Sequence, residues 1–450
     1  MVEGEYPVEK SDKSTAAVIS VSRGGLKLWV AVALTGIGTG IGAGAFYLLL
    51  QMLQRLAWPG GGSSLLEAAK AVSFERHVLI LLGAGFLTGL GQLLLSGLSS
   101  GNGIDINAAI WFSAGRLPPL RTLGSAVLSI FLVGMGLPLG REGAPKQVGA
   151  VLGNLFSSSA GLSDDQRRLL VACGAGAGMS AAYGVPLGGA LFSLEVLRGV
   201  LALRLVLPAL FASTIAALVA WSVVPNGPTY VFPAYNTSAL VVAWALLFGP
   251  LTGMLSVVYV RAVAWADSHK PEGWGLLFVP LTVMGIIGVT SFWFPQILGN
   301  GQEISELAFV GKVEPGLLLC IFLLKPLATV MSIRSGAPGG LFTPSLTLGA
   351  MFGGLLGYGW AHFWPGTPLG LYSVLGAAGM LAATTQGPVS TLVLMFELTG
   401  HNRSFIAPML LVVTTATLSA RLIEPRSIYD AKLNDKQLAA RLAARAPSPS

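Results

Sequence analysis

Residues 136–153 read GLPLGREGAPKQVGAVLG. The stretch is apolar and rich in Gly and Pro up to Gly140, is broken by Arg141 and Glu142, and resumes at once as a helix-like run. Charge inside a segment apolar enough for a membrane is costly and marks function by default. A carboxylate at a helix start also lies where backbone N–H groups and the helix dipole favour negative charge. Glu142 is therefore expected where an anion would sit. The competing reading, a structural ion pair with Arg141, is disfavoured by the glycines on both sides.

The rest of the chain supplies the setting. Of 450 residues, 53% are hydrophobic and 10% charged, and the mean hydropathy is +0.72. Soluble domains carry about 25% charged residues, so this is a polytopic membrane protein. The 59 glycines and 26 prolines point to close-packed, short or interrupted helices rather than a regular bundle. The net charge of +7 is assigned to basic cytoplasmic ends, not to nucleic-acid binding. Cys173 and Cys320 lie in apolar runs as core thiols, and the four histidines have no metal-ligand spacing, so no cofactor is expected. An intramembrane enzyme is set aside for want of paired catalytic Asp residues, a His cluster or a Ser–His dyad on adjacent runs. A carrier of organic solutes is set aside because glycine-rich helix starts suit a small anion.

The first 27 residues are polar and read as a cytoplasmic tail, with no cleavable signal evident. Thirteen apolar runs follow between 28 and 422, several too short for one crossing of about 20 residues and several too long. The chain also repeats itself. GMSAAYGVPLGGALFSLE (178–195) and GMLAATTQGPVSTLVLMFE (379–397) share Gly-Met, small residues, Pro, and Glu nine positions on, with Pro186 and Pro388 202 apart. Gly149-Ala150-x-x-Gly153 and Gly349-Ala350-x-x-Gly353 repeat at an offset of 200. Duplicated halves typify transporters whose sites lie between the repeats, lined by broken-helix ends. The division expected is a tail 1–27, repeat one 28–224, repeat two 225–422, and a charged, partly helical cytoplasmic tail 423–450.

Three glycine-rich breaks stand beside helix starts: residues 99–105, 140–145 and 336–344. Glycine lets backbone N–H groups face a cavity, and converging helix N-termini make a positive site without a buried cation. The alternating glycines at 36, 38, 40, 42 and 44 form a close-packing helix face, not a nucleotide loop, since no strand precedes them.

In these motifs the chain resembles the CLC family of chloride channels and proton-coupled anion exchangers. G-S-G-I-P appears as Gly101-Asn102-Gly103-Ile104-Asp105, G-[RK]-E-G-P as Gly140-Arg141-Glu142-Gly143-Ala144, and G-x-F-x-P intact as Gly340-Leu341-Phe342-Thr343-Pro344. A pathway tyrosine is matched by Tyr429, and the likeness covers about residues 28–432. It implies an all-α membrane protein with a CLC-type inverted-topology repeat and many tilted, discontinuous helices. It further implies a homodimer with one anion pathway per subunit, embedded in the inner or plasma membrane with both termini cytoplasmic. The site it implies has Glu142 as gate. Asn102, the backbone N–H groups of Gly143, Leu341 and Phe342, and the Tyr429 hydroxyl are its anion ligands.

The departures shape the expected chemistry. Asn102 stands for a serine, presenting an amide instead of a hydroxyl. On local preference alone Asn102 is a turn residue in an Asn-Gly pair, and Tyr429 an interfacial tyrosine. Lys146 puts a cation one turn from Glu142, as a pathway charge or a snorkelling side chain. Val196 follows Glu195 where exchangers carry a second, proton-relaying acid. Arg141, Lys146, Glu195 and Val196 are modulating positions, with Glu195 and Glu397 favoured as structural helix-end acids. Halide transport gated by Glu142 is the first expectation. Fluoride/proton antiport is the alternative, because the Asn102 and Val196 pattern is similar to that branch.

Overall fold

The structure is a computed structural model that describes residues 23–62, 64–98, 105–400, 405–431, 433 and 435–445. Asn102 and most of the 1–27 tail lie outside the described residues. The described chain is all-α. The first half holds α1 (Arg23–Ala57), α2 (Leu65–Lys70), α3 (Phe74–Ser96), α4 (Ile106–Phe112), α5 (Pro119–Gly134), α6 (Gly143–Ser159), α7 (Asp164–Tyr183), α8 (Pro186–Phe192) and α9 (Leu203–Ala220). The second half holds α10 (Ala239–Ser268), α11 (Gly275–Trp293), α12 (Gln302–Phe309), α13 (Pro315–Arg334), α14 (Phe342–Phe363), α15 (Leu369–Thr385), α16 (Pro388–Thr399) and α17 (Ile406–Ile423). A last helix, α18 (Asp435–Arg445), follows.

Among the described residues, seven helices are long and apolar enough to cross a bilayer: α1, α3, α9, α10, α11, α13 and α17. They expose apolar side chains such as Leu79, Phe278 and Leu323, as lipid contact requires. By contrast, α7 and α15 are enclosed by protein along almost their whole length. The two halves pack alike. α1 packs on α9 and α6 on α7 in the first, as α10 packs on α17 and α14 on α15 in the second. Three elements instead meet their own counterparts: α3 meets α11, α8 meets α16, and Gly140 forms an antiparallel bridge with Gly340. An element that touches its own equivalent lies on a two-fold axis, so the pseudo-symmetry axis runs through these contacts.

The repeated sequence signals now have physical causes. A Cβ on Gly149 would strike the carbonyl of Gly174, and one on Gly174 the carbonyl of Gly149; Gly349 and Gly376 stand in the same relation. The repeated Gly-Ala-x-x-Gly is thus the close crossing of α6 on α7 and of α14 on α15. In α1, Gly36 and Gly40 abut the backbone of α9, while Gly38 and Gly42 receive Leu152 and Val148 of α6. The alternating glycines therefore serve two faces of α1, where the sequence suggested one. The repeated Pro…Glu stretches form reciprocal caps. Glu397 accepts from the Leu187 and Gly188 N–H groups (3.0 and 2.6 Å) at the start of α8. Glu195 accepts from those of Val389 and Ser390 (3.1 and 2.6 Å) at the start of α16. Each acid satisfies orphan amides of the other half.

One contact was not legible in sequence. His77 Nδ1 lies 2.8 Å from Ser291 Oγ, and its Nε2 lies 2.9 Å from the carbonyl of Ala69. The structure thus pairs a Ser and a His from runs distant in sequence. Both are buried, and Ser291 Oγ also donates to the Gly288 carbonyl, so the contact ties α2, α3 and α11 together.

Candidate functional site

The site forms where the second and third breaks cross. Beyond α5 the chain turns at Gly136, whose φ of +96° suits glycine, and runs non-helically to Glu142. The N–H groups of Gly140 and Gly340 each donate to the other's carbonyl, at 2.7 and 2.8 Å. This bridge sets the starts of α6 and α14 side by side across the pseudo-two-fold.

Glu142 occupies the N-cap position of α6, yet its side chain caps nothing there. It reaches across the axis to α14. Oε1 accepts from the Phe342 N–H at 2.8 Å, and Oε2 accepts from the Tyr183 hydroxyl at 3.0 Å. The residue is 0% exposed. Phe342 is the first residue of α14, so the carboxylate sits on an orphan amide at the positive end of a helix dipole. Gly140 and Gly340 form the walls, and a Cβ on either would collide with the carboxylate. That collision explains why both breaks carry glycine at these positions. Gly143 and Leu341 lie at the two helix starts; a Cβ on Gly143 would press on the Gly340 amide nitrogen.

Arg141 gives the carboxylate no hydrogen bond. Its guanidinium lies over the Tyr183 ring, 5.1 Å from the centroid, beside a cavity of about 370 Å³ whose walls include Gln51, Glu303 and Glu306. Behind that cavity, buried Lys325 donates to the carbonyls of Gln296, Ile297, Leu298 and Gly299 at 2.9–3.3 Å. It fixes the loop that forms one wall.

On the other side of Glu142 the lining turns aromatic. Lys146, one turn along α6, is buried and directs Nζ toward the Tyr429 hydroxyl at 3.4 Å. The same ammonium lies 4.8 Å from the Tyr429 ring centroid and 5.4 Å from that of Phe192. Attraction of a cation to ring faces holds it there. The structure thus sets two pairs one turn apart along α6: Glu142 on the Phe342 N–H, and Lys146 beside Tyr429.

Tyr429 is anchored from below. Ile428 N–H donates to the Thr384 carbonyl at 2.7 Å. Asp430 accepts from the Ser427 N–H and hydroxyl (3.1 and 2.7 Å) and forms an ion pair with Arg441 of α18. Arg441 is 0% exposed, lies 5.2 Å from the Trp111 ring centroid, and donates to the carbonyl of Val196 at 2.9 Å. Val196 is itself buried, in a π-helical turn (Ser193–Arg198) after α8. The C-terminal helix is therefore pinned under the site, against the position that lacks an acid.

At the end of α17, Glu424 accepts from Arg426 (2.9 and 3.0 Å) and Arg261 (3.0 Å). The hydrogen bonds from Arg426 lead in holding its pKa down to about 2, with partial burial opposing and Arg261 adding to the fall.

Tyr183, Thr343 and Arg441 are the site residues that sequence reasoning missed. Tyr183 sits inside the repeated Gly-Met…Pro stretch and Thr343 inside G-x-F-x-P, so position could have flagged both. Only the fold reveals what their hydroxyls meet.

The voltage gated chloride channel family profile matches residues 84–421. The chain belongs to that family, the CLC family. It is 29% identical over 420 residues to the ClcB-like protein of Ralstonia nicotianae, covering 88% of this chain and 95% of the relative. It is 30% identical over 330 residues to the H(+)/Cl(−) exchange transporter ClcA of Yersinia pestis, covering 71% and 68%. Among solved structures, a slow cyanobacterial Cl−/H+ antiporter aligns with a TM-score of 0.78 at 21% identity, covering 92% of this chain and 98% of that one. A CLC-type fluoride/proton antiporter aligns with a TM-score of 0.73 at 20% identity, covering 92% and 99%. These likenesses carry the fold: an all-α membrane protein with the CLC inverted-topology repeat.

Proposed function

We propose that this CLC protein carries halide across the membrane through a pathway in each subunit, with Glu142 as its gate. The observation that carries the reading is the Glu142 carboxylate on the Phe342 N–H at 2.8 Å, with glycines on both sides. A carboxylate and a halide bear the same charge and compete for one helix N-terminus. Protonation removes that charge, the side chain leaves, and the anion takes its place. Lys146 and Tyr429 line the continuation on one side, and the Arg141 cavity is the approach on the other. Fixed dipoles plus one nearby cation bind an anion without trapping it, as conduction requires. The backbone of Gly143 and Leu341, and the Asn102 side chain, complete the ligand set on this reading.

The reading includes a homodimer in the inner or plasma membrane with both termini cytoplasmic. Full-length protein reconstituted in liposomes with a potassium shunt should release chloride. Absence of halide flux at every pH from about 4 to 7.5, a span covering carboxylate titration, would sink it.

One observation favours a second reading, fluoride/proton antiport. Position 196 presents a buried valine and not a second acid, so a chloride/proton exchanger's usual inner relay has no counterpart there. Fluoride flux well above chloride flux, with fluoride driving protons uphill, would select it. Chloride flux equal to or above fluoride flux would remove it.

A further inference from the structure

We propose that the Tyr183 hydroxyl is a ligand of the transported anion at the place Glu142 vacates, and that Thr343 orients it. Tyr183 is the last residue of α7 and is 5% exposed. Its oxygen lies 3.0 Å from Glu142 Oε2 and 2.6 Å from Thr343 Oγ1. A phenol has one proton to give. With that proton on the carboxylate, the second contact requires Thr343 to donate to the phenol oxygen. Thr343 thus fixes the rotor and strengthens the outgoing donor, since linked hydrogen bonds polarise one another.

The ring has little freedom to follow the carboxylate out. Arg141 lies over one face at 5.1 Å, and the Phe342 ring packs at 5.9 Å. When Glu142 leaves, two donors remain aimed at the same small space: the Phe342 N–H and the Tyr183 O–H. Both are buried, and an unpaired buried donor is costly, so the pair calls for a replacement acceptor. A monatomic anion between Gly140 and Gly340 meets both donors at once. Tyr183 therefore acts twice, holding the gate shut as a donor to the carboxylate and receiving the anion once the gate is open.

This inference rests on the anion-transport reading, and removing the gate side chain separates the two roles. In Glu142→Ala protein purified in detergent, chloride titration by calorimetry should show binding. Adding Tyr183→Phe, which keeps the ring and removes the hydroxyl, should weaken that binding about tenfold or more, as expected for a hydrogen bond to a charge. Thr343→Val in the same background should weaken it less. In the otherwise native chain, Tyr183→Phe should raise chloride efflux at neutral pH, because the carboxylate has lost one of its two donors.

Chloride affinity unchanged by Tyr183→Phe in the Glu142→Ala background would overturn the inference while leaving the transport reading intact. No halide binding in Glu142→Ala would overturn both. If the phenylalanine variant does not fold, a bromide anomalous map of Glu142→Ala decides the point without altering Tyr183. An ion within about 3.5 Å of the Tyr183 oxygen supports the assignment. An ion elsewhere refutes it.

Discussion

Replacing Arg441 with alanine tests how the C-terminal helix is tied to the site. Arg441 is 0% exposed and forms an ion pair with Asp430, next in chain to Tyr429; it also donates to the Val196 carbonyl at 2.9 Å. Truncation would leave the Asp430 carboxylate buried without its cation, still accepting from the Ser427 N–H and hydroxyl. Breaking a buried pair from one side costs about 3–5 kcal/mol, because it leaves an uncompensated buried charge. The single variant should therefore lose at least a hundredfold in folding equilibrium, at 1.36 kcal/mol per factor of ten. Denaturant titration of wild type, Arg441→Ala, Asp430→Asn and the double variant in mixed micelles measures this. The double variant should recover much of the loss. Halide efflux should fall in Arg441→Ala, because the segment carrying Tyr429 is no longer pinned. Stability of the alanine variant within about 0.5 kcal/mol of wild type, or a double variant no better than the single one, would refute the reasoning.

Three further outcomes are expected. Glu424 has its pKa held down to about 2 from the ordinary carboxylate value of 4.5, so its contribution to stability is fully present above about 4.5 and is lost as pH falls toward 2. Glu424→Gln should accordingly be less stable than wild type at pH 7, with the gap closing over that window in parallel denaturation curves. Gly149→Val and Gly376→Val should each lower stability by at least the 1–3 kcal/mol typical of overpacking, because the new side chain meets backbone. Monodispersity and denaturant midpoints should show the two variants similarly damaged, since they sit at equivalent crossings of the two halves.

Much of the fold was legible because its determinants are local. The hydropathy showed a membrane chain, and the paired Gly-Ala-x-x-Gly motifs exposed the duplication because a close helix crossing requires glycine at fixed spacing. The place of Glu142 was legible for a related reason: a charge among glycines at a helix start has few structural uses. What it touches was not. Phe342 is 200 residues away and Tyr183 is 41 away, and neither hydrogen bond leaves a periodic trace. The same holds for Arg441, in sequence one basic residue of the charged tail, which is buried and bonded to the Val196 carbonyl. The reciprocal caps by Glu195 and Glu397 lie between these cases. The repeat showed the acids to be equivalent, but only the two-fold shows each acid reaching the other half's helix.

On the proposed function, the Glu142 carboxylate and the transported anion take turns on the α14 N-terminus. Glu142→Gln tests it most directly, because the amide keeps the shape and removes the charge. The amide oxygen keeps one of the two hydrogen bonds as a neutral pair, about 1 kcal/mol weaker, and the NH2 cannot accept the other, so the side chain should hold the site at least about 30-fold less well. Anion efflux and pH are recorded together from liposomes between about pH 4.5 and 7.5. Efflux through the variant should be independent of pH and move no protons. A variant that keeps the wild-type pH response would contradict it.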